Sequence, residues 1–275
     1  EGLGIFDQTK KKDNPFHDWG FVFIPYCTGD LFWGANDHDY PIGFNPATGP
    51  IYATIQHRGF VNFQAVLAYL EDNTNYPGKI FVTGSSAGSY GATMAFPYIK
   101  QAFPWSNVYL LGDAGNGIVG GTFPTEGIPK WNVQMPDWIF PGGYDPTMIM
   151  ADIYIGIAAE YPWSRFAQYT TAFDGTQTFF YNVMLNINDP SQWNNIPPDV
   201  FVAWHLTMKN YAYTTALASP NYRYYIAAGT EHTIMGKPKF YTEESAGGMS
   251  FADWVKAMIK TPHKWENLEC EECLP

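Results

Sequence analysis

The chain has 275 residues, a length that fits one large α/β domain, and 46% of them are hydrophobic, enough for a sizeable core. A net charge of −11 argues against a nucleic-acid or anionic-membrane partner, because little here could neutralise phosphates, and no apolar run is long enough to span a bilayer. Aromatic residues (18%) outnumber charged ones (15%), so some of them are expected to line an open cleft.

Along the chain, the opening segment EGLGIFDQTKKK carries no signal-peptide core, and its three lysines read as a solvated turn. The apolar run Gly20–Pro25 (GFVFIP) predicts the first strand. Phe60, Phe63, Leu67 and Leu70, at three- and four-residue spacings, predict a helix over Gly59–Asp72. Tyr76-Pro77-Gly78 then turns the chain into a short β-favouring run, Ile80 to Val82. Gly84 and a group of small residues follow, with a helix from Ser89 to about Gln101. The run Val108–Leu111 predicts another strand, ending at Gly112-Asp113.

From Ala114 to about Asp145 the pattern dissolves into Gly, Pro and aromatics, among them Phe123, Trp131, Trp138, Phe140 and Tyr144. Such a stretch is either a lid or cleft wall, or a packing excursion over the sheet edge. Helices are expected around Pro146–Ala159, Thr176–Leu185, Asp199–Ala218 and Ser250–Ile259, with strands near Phe166–Thr171 and at Tyr222–Ala227. This alternation predicts an α/β fold: one domain over residues 1–275, a mostly parallel sheet with helices on both faces, and 114–145 as an insertion. Cys270 and Cys273 have no second pair at zinc spacing, so a local disulfide or two idle thiols is expected rather than a metal site. Gly115-Asn-Gly117-Ile-Val-Gly120 matches a dinucleotide fingerprint, but the prolines and glycines that follow forbid the helix such a site needs.

The segment KIFVTGSSAGSY (Lys79 to Tyr90) carries the chemistry. A strand, a G-x-S-x-G turn and a helix form the nucleophile elbow of the α/β-hydrolase fold, with Ser86 as the nucleophile. The turn is sharp, hence Gly84 and Gly88, and the Ala87 amide faces the developing oxyanion at the helix N-terminus. A serine nucleophile needs a base and an orienting acid, in the chain order serine, acid, histidine. His17, His38 and His57 precede Ser86, His205 falls within a predicted helix, and His263 lies beyond the last helix. His232 directly follows the last strand, where the base belongs. Both Asp174 and Asp113 end strands after the elbow, and position alone leaves the acid open between them.

Four segments in the same order resemble the pectin acetylesterase/Notum family of carboxylesterases. They are NPFHDWGFVFIPYCTGDLFWG (Asn14 to Gly34), VTGSSAGSYGA (Val82 to Ala92), AFDGTQ (Ala172 to Gln177) and YIAAGTEHT (Tyr225 to Thr233). The P-Y-C-T-G-D box with a later glycine is the most distinctive part. The resemblance places the acid, in its D-x-x-Q setting, on Asp174 and Gln177, and makes Asp113 a non-catalytic residue. It implies an extracellular serine esterase without metal or cofactor, acting on an acyl ester such as the acetyl groups of a polysaccharide. A lipase or polyester hydrolase of broad specificity, or a non-catalytic binding protein on the same scaffold, are the alternatives. In this fold GFVFIP corresponds to the fourth strand, and the glycine-rich turn that supplies a second oxyanion amide precedes it. The expectation is therefore that the opening strands lie in a missing N-terminal segment or companion chain that also pairs with Cys27. Failing that, the loop Tyr26 to Gly34 takes over the amide.

Overall fold

The computed structural model describes residues 4–273, and its first strands form an antiparallel hairpin, β1 (Asn36–Asn45) and β2 (Gly49–His57), absent from the sequence-based elements. The helix α1 (Gly59–Asn73) leads into a separate five-stranded sheet. This consists of β3 (Lys79–Ser85), β4 (Asn107–Asp113), β5 (Arg165–Thr171), β6 (Tyr222–Ala227) and β7 (Leu268–Glu269), all parallel and side by side in chain order. Between and after them run α2 (Ala87–Ala102), α3 (Met150–Glu160), α4 (Gly175–Leu185), α5 (Pro198–Ala218) and α6 (Phe251–Lys260). The mostly parallel sheet with helices on both faces is as predicted. No helix among the described residues is long and apolar enough to cross a membrane.

Side chains alternate across the sheet with the two-residue period of strands, which builds two cores. Tyr109, Leu111, Tyr169 and Tyr225 pack with Phe251, Trp254 and Met258 of α6. Leu110, Phe166 and Tyr222 face the other way, onto Phe96 of α2 and Ile153 and Ile157 of α3. The insertion joins this second core through Met135 and Phe140. Part of it is thus packing material, and the site-facing part is its beginning, where a Cβ at Gly115 would press on Ser89 and the Ser86 carbonyl. The predicted amphipathic face of α1 packs as expected, Phe63 and Leu67 lying against Phe103.

One predicted strand is absent. Gly20–Pro25 has no ladder partner, and Phe21, Val22 and Phe23 are exposed, Phe23 to 78%. A strand exists only where backbone groups can be paired, and among the described residues none lies beyond β3, which is the edge of the sheet. Hydrophobicity made the segment resemble a buried strand, but no sheet covers it.

The P-Y-C-T-G-D box has a physical explanation in this fold. Asp30 is fully buried and accepts hydrogen bonds from the Thr28 hydroxyl and from the amides of Phe32, Gly34 and Gly59. A Cβ on either Gly34 or Gly59 would collide with that carboxylate. Asp30 thereby ties the loop to the first turn of α1, where a negative charge is also favoured by the helix dipole.

Candidate active site

The register Ser85↔Asp113 brings the ends of β3 and β4 level at the C-terminal edge of the sheet. One residue, Ser86, links β3 to α2, at φ 58° and ψ −122°, a conformation L-residues rarely adopt. Its hydroxyl makes no capping bond to α2 and is free for chemistry. Its amide donates to the Asp113 carbonyl at 2.8 Å. Ala87 opens α2, where the first amides have no intrahelical acceptor and favour a negative ligand.

The two elbow glycines differ in their demands. A Cβ at Gly84 would lie deep inside contact with the backbone of Gly88, whereas one at Gly88 would meet nothing within 4 Å. Gly84→Ala should therefore cost about 3 kcal/mol through overpacking. Gly88→Ala, at a helical position, should be neutral or stabilising by up to about 1 kcal/mol. Denaturant melts of the two variants check this, and equal losses would contradict it.

Asp174, fully buried, is the N-cap of α4 and accepts from the amides of Thr176 (3.0 Å) and Gln177 (2.9 Å). The Gln177 side chain donates to it at 3.0 Å, and donates also to Thr170 and Asn116. Gln177 Oε1 in turn accepts the Asn116 amide at 2.8 Å. The carboxylate is thus held rigidly by groups from α4, β5 and the loop after β4. His232, five residues beyond β6, places Nδ1 at 2.9 and 3.0 Å from the two Asp174 oxygens. A carboxylate only accepts, so Nδ1 carries a proton, and in the neutral imidazole Nε2 offers a lone pair. Nε2 is buried and has no hydrogen-bond partner.

The structure therefore brings Asp174 and His232 together. Among the described residues no hydrogen bond joins the Ser86 hydroxyl to His232, so that expected contact is not closed. Asp113, the rival acid, makes no hydrogen bond to the imidazole, whose Nδ1 is taken by Asp174. It accepts from the Ser85 hydroxyl and from the amides of Ile234 and Met235, each at 3.0 Å. Burial pushes its carboxyl pKa up, and those three donors offset part of the push.

Tyr90, one helical turn after Ser86, accepts the Gly117 amide at 3.0 Å, and burial pushes its phenol to about 12. Its backbone carbonyl takes the Trp33 indole N–H at 2.9 Å. His57, which is buried, is committed to structure between the Thr28 carbonyl and the Tyr40 hydroxyl. His205 stacks on Phe173 and donates to the Ala172 carbonyl. Cys270 and Cys273 form the local disulfide, and Cys27 is exposed and unpaired. Among the described residues no three His, Cys, Asp or Glu side chains converge as metal ligands would. Asn116 and the Asp113 clamp had no separate signal in the sequence, because their partners lie far along the chain.

The pectinacetylesterase family model matches residues 1–119. Among solved structures, the Wnt deacylase Notum from Drosophila superposes with a TM-score of 0.67 at 17% sequence identity, covering 100% of this chain and 78% of that one. No curated protein matches the chain significantly. Over residues 1–119 the chain is similar in sequence to the pectinacetylesterase family, and along its whole length its fold is similar to that of Notum.

Proposed function

We propose that this chain is a serine carboxylesterase acting on acyl esters, with Ser86 as nucleophile, His232 as general base and Asp174 as the acid that orients it. The observation that supports this most is the hydrogen bond from His232 Nδ1 to the buried Asp174, which fixes the tautomer and leaves a partnerless Nε2 for a serine proton. Ser86 Oγ attacks the ester carbonyl as its proton passes to Nε2. The tetrahedral oxyanion faces the Ala87 amide. Collapse breaks the bond to the leaving alcohol, which takes the proton from His232. Water, deprotonated by the same nitrogen, then releases the acyl group and restores Ser86.

The family's name points to acetyl groups on a polysaccharide in an extracellular setting, and a deacylase fold is equally compatible with longer acyl chains. Oxyanion stabilisation works best with two donors, and losing one costs about 2.7–4 kcal/mol. Among the described residues β3 is the edge strand of its sheet. The second amide is accordingly expected from further polypeptide paired with β3, or from the loop Tyr26 to Gly34.

A p-nitrophenyl ester series of increasing acyl length, with Ser86→Ala as control, tests the reading. Highest kcat/KM on acetate is expected for a deacetylase, and a rise with chain length would favour the lipase alternative. No turnover above the Ser86→Ala control on any ester would leave the binding-protein alternative. Intact mass of the active material tells where the second amide comes from. Full activity in a single 31.0 kDa species would assign it to the 26–34 loop.

A further inference from the structure

We propose that Asp113 is a positioning residue: its carboxylate clamps the strained turn after His232 to the end of the nucleophile strand, and so sets the approach of His232 to Ser86. The inference rests on the reading of His232 as base. It begins from Thr233, whose φ of 62° lies in the left-handed region although it is a β-branched residue. A residue held there costs on the order of 1–3 kcal/mol and persists only where its surroundings enforce it.

The enforcing group is visible. The left-handed turn points the two successive amides of Ile234 and Met235 at one anion, the arrangement of a backbone nest. That anion is Asp113, buried and 3.0 Å from both. The same residue holds the other half of the site. Its side chain takes the Ser85 hydroxyl and its carbonyl takes the Ser86 amide at 2.8 Å. One residue thus links positions 85 and 86 to positions 234 and 235, on either side of the nucleophile and base. A second tether, Lys237 Nζ to the His232 carbonyl at 2.6 Å, joins the loop to itself and not to the elbow.

Asn at position 113 is nearly isosteric but turns part of the acceptor surface into N–H groups that face N–H groups. The turn should then relax and carry His232 away from Ser86. A displacement of about 1 Å at a reacting group costs on the order of a hundredfold in rate. Glycine at position 233 adopts φ near +60° without penalty, so the turn should then need the clamp less.

The test is a double-mutant cycle in the full chain, measured as kcat and KM on p-nitrophenyl acetate per site titrated with an organophosphonate. Asp113→Asn is expected to lower kcat about a hundredfold with KM within about twofold. In the Thr233→Gly background the same substitution should cost about tenfold or less. An equal loss in both backgrounds, a loss confined to KM, or normal kcat per titrated site would each overturn the proposal. Should Asp113→Asn yield no folded protein, Asp113→Glu carries the same cycle. It keeps the charge but displaces the loop by a methylene, and the same outcomes decide. His232→Ala is the separate control. If it leaves turnover intact, the base assignment has failed rather than the clamp.

Discussion

Asp174→Asn should lower kcat on p-nitrophenyl acetate by about ten-thousandfold while leaving KM close to that of the parent. The magnitude is that of the corresponding substitution in a serine-protease triad, where the imidazole loses its proper tautomer. Here the local structure should survive, because Asn caps a helix as well as Asp does. The amides of Thr176 and Gln177 would keep an acceptor. What changes is the second oxygen: an amide nitrogen there would face the N–H groups of His232 Nδ1 and Gln177 Nε2, at a cost in stability of about 1–3 kcal/mol. Asp113→Asn acts through the backbone of the histidine loop, the Ser85 hydroxyl and the loss of a negative charge near His232, without changing the partner of Nδ1, and should cost less. If kinetics ranked the two losses in the opposite order, Asp113 would be the acid and the present assignment would be wrong.

Removal of the nucleophile should have a larger effect. Ser86→Ala is expected to reduce kcat about a millionfold, the scale seen when a triad serine is deleted. Stability should separate two variants at this position. Residue 86 sits at φ 58°, so alanine inherits the strain, whereas Ser86→Gly releases it. The glycine variant should be more stable than the alanine variant by about 1 kcal/mol, the cost of the left-handed region to an L-residue. Equal melting midpoints would mean that the elbow stores no strain. Residual turnover by Ser86→Ala close to that of the parent would place the nucleophile elsewhere.

Much of this architecture was legible in the sequence because its physical cause is local. The spacing of Phe60, Phe63, Leu67 and Leu70 marked α1, and Tyr222–Ala227 was recovered as β6 at the same limits. The elbow was legible because a sharp turn demands Gly84, and the place of His232 because it follows β6, the last strand visible in the sequence; the two-residue β7 comes later in the chain and was not predicted. The hairpin β1–β2 left no such trace. Pro41, Gly43, Gly49 and Pro50 interrupt it, and most of its residues are exposed, so the short alternation over Ile51 to Gln56 builds no buried face. Gly20–Pro25 failed in the opposite sense. Its composition is that of a buried strand, but pairing is a tertiary property and no partner lies beside it.

The candidate site divides along the same line. Ser86, Ala87, Asp174 and His232 stand at element ends that a sequence can locate. The groups that hold them could not be assigned roles, because Asn116 meets Gln177 across 61 positions and Asp113 meets Ile234 across 121. The resemblance of AFDGTQ to its family pointed to Gln177, and the structure supplies the reason in its bond to Asp174.

The central claim is that Ser86 is a nucleophile activated by His232. The most direct test is to treat the folded chain with a fluorophosphonate and map the adduct by peptide mass spectrometry. The account predicts stoichiometric labelling of Ser86, rather than of its neighbours Ser85 or Ser89, and loss of that labelling in His232→Ala. An adduct on another residue, no adduct on a protein that hydrolyses esters, or undiminished labelling without His232 would contradict it.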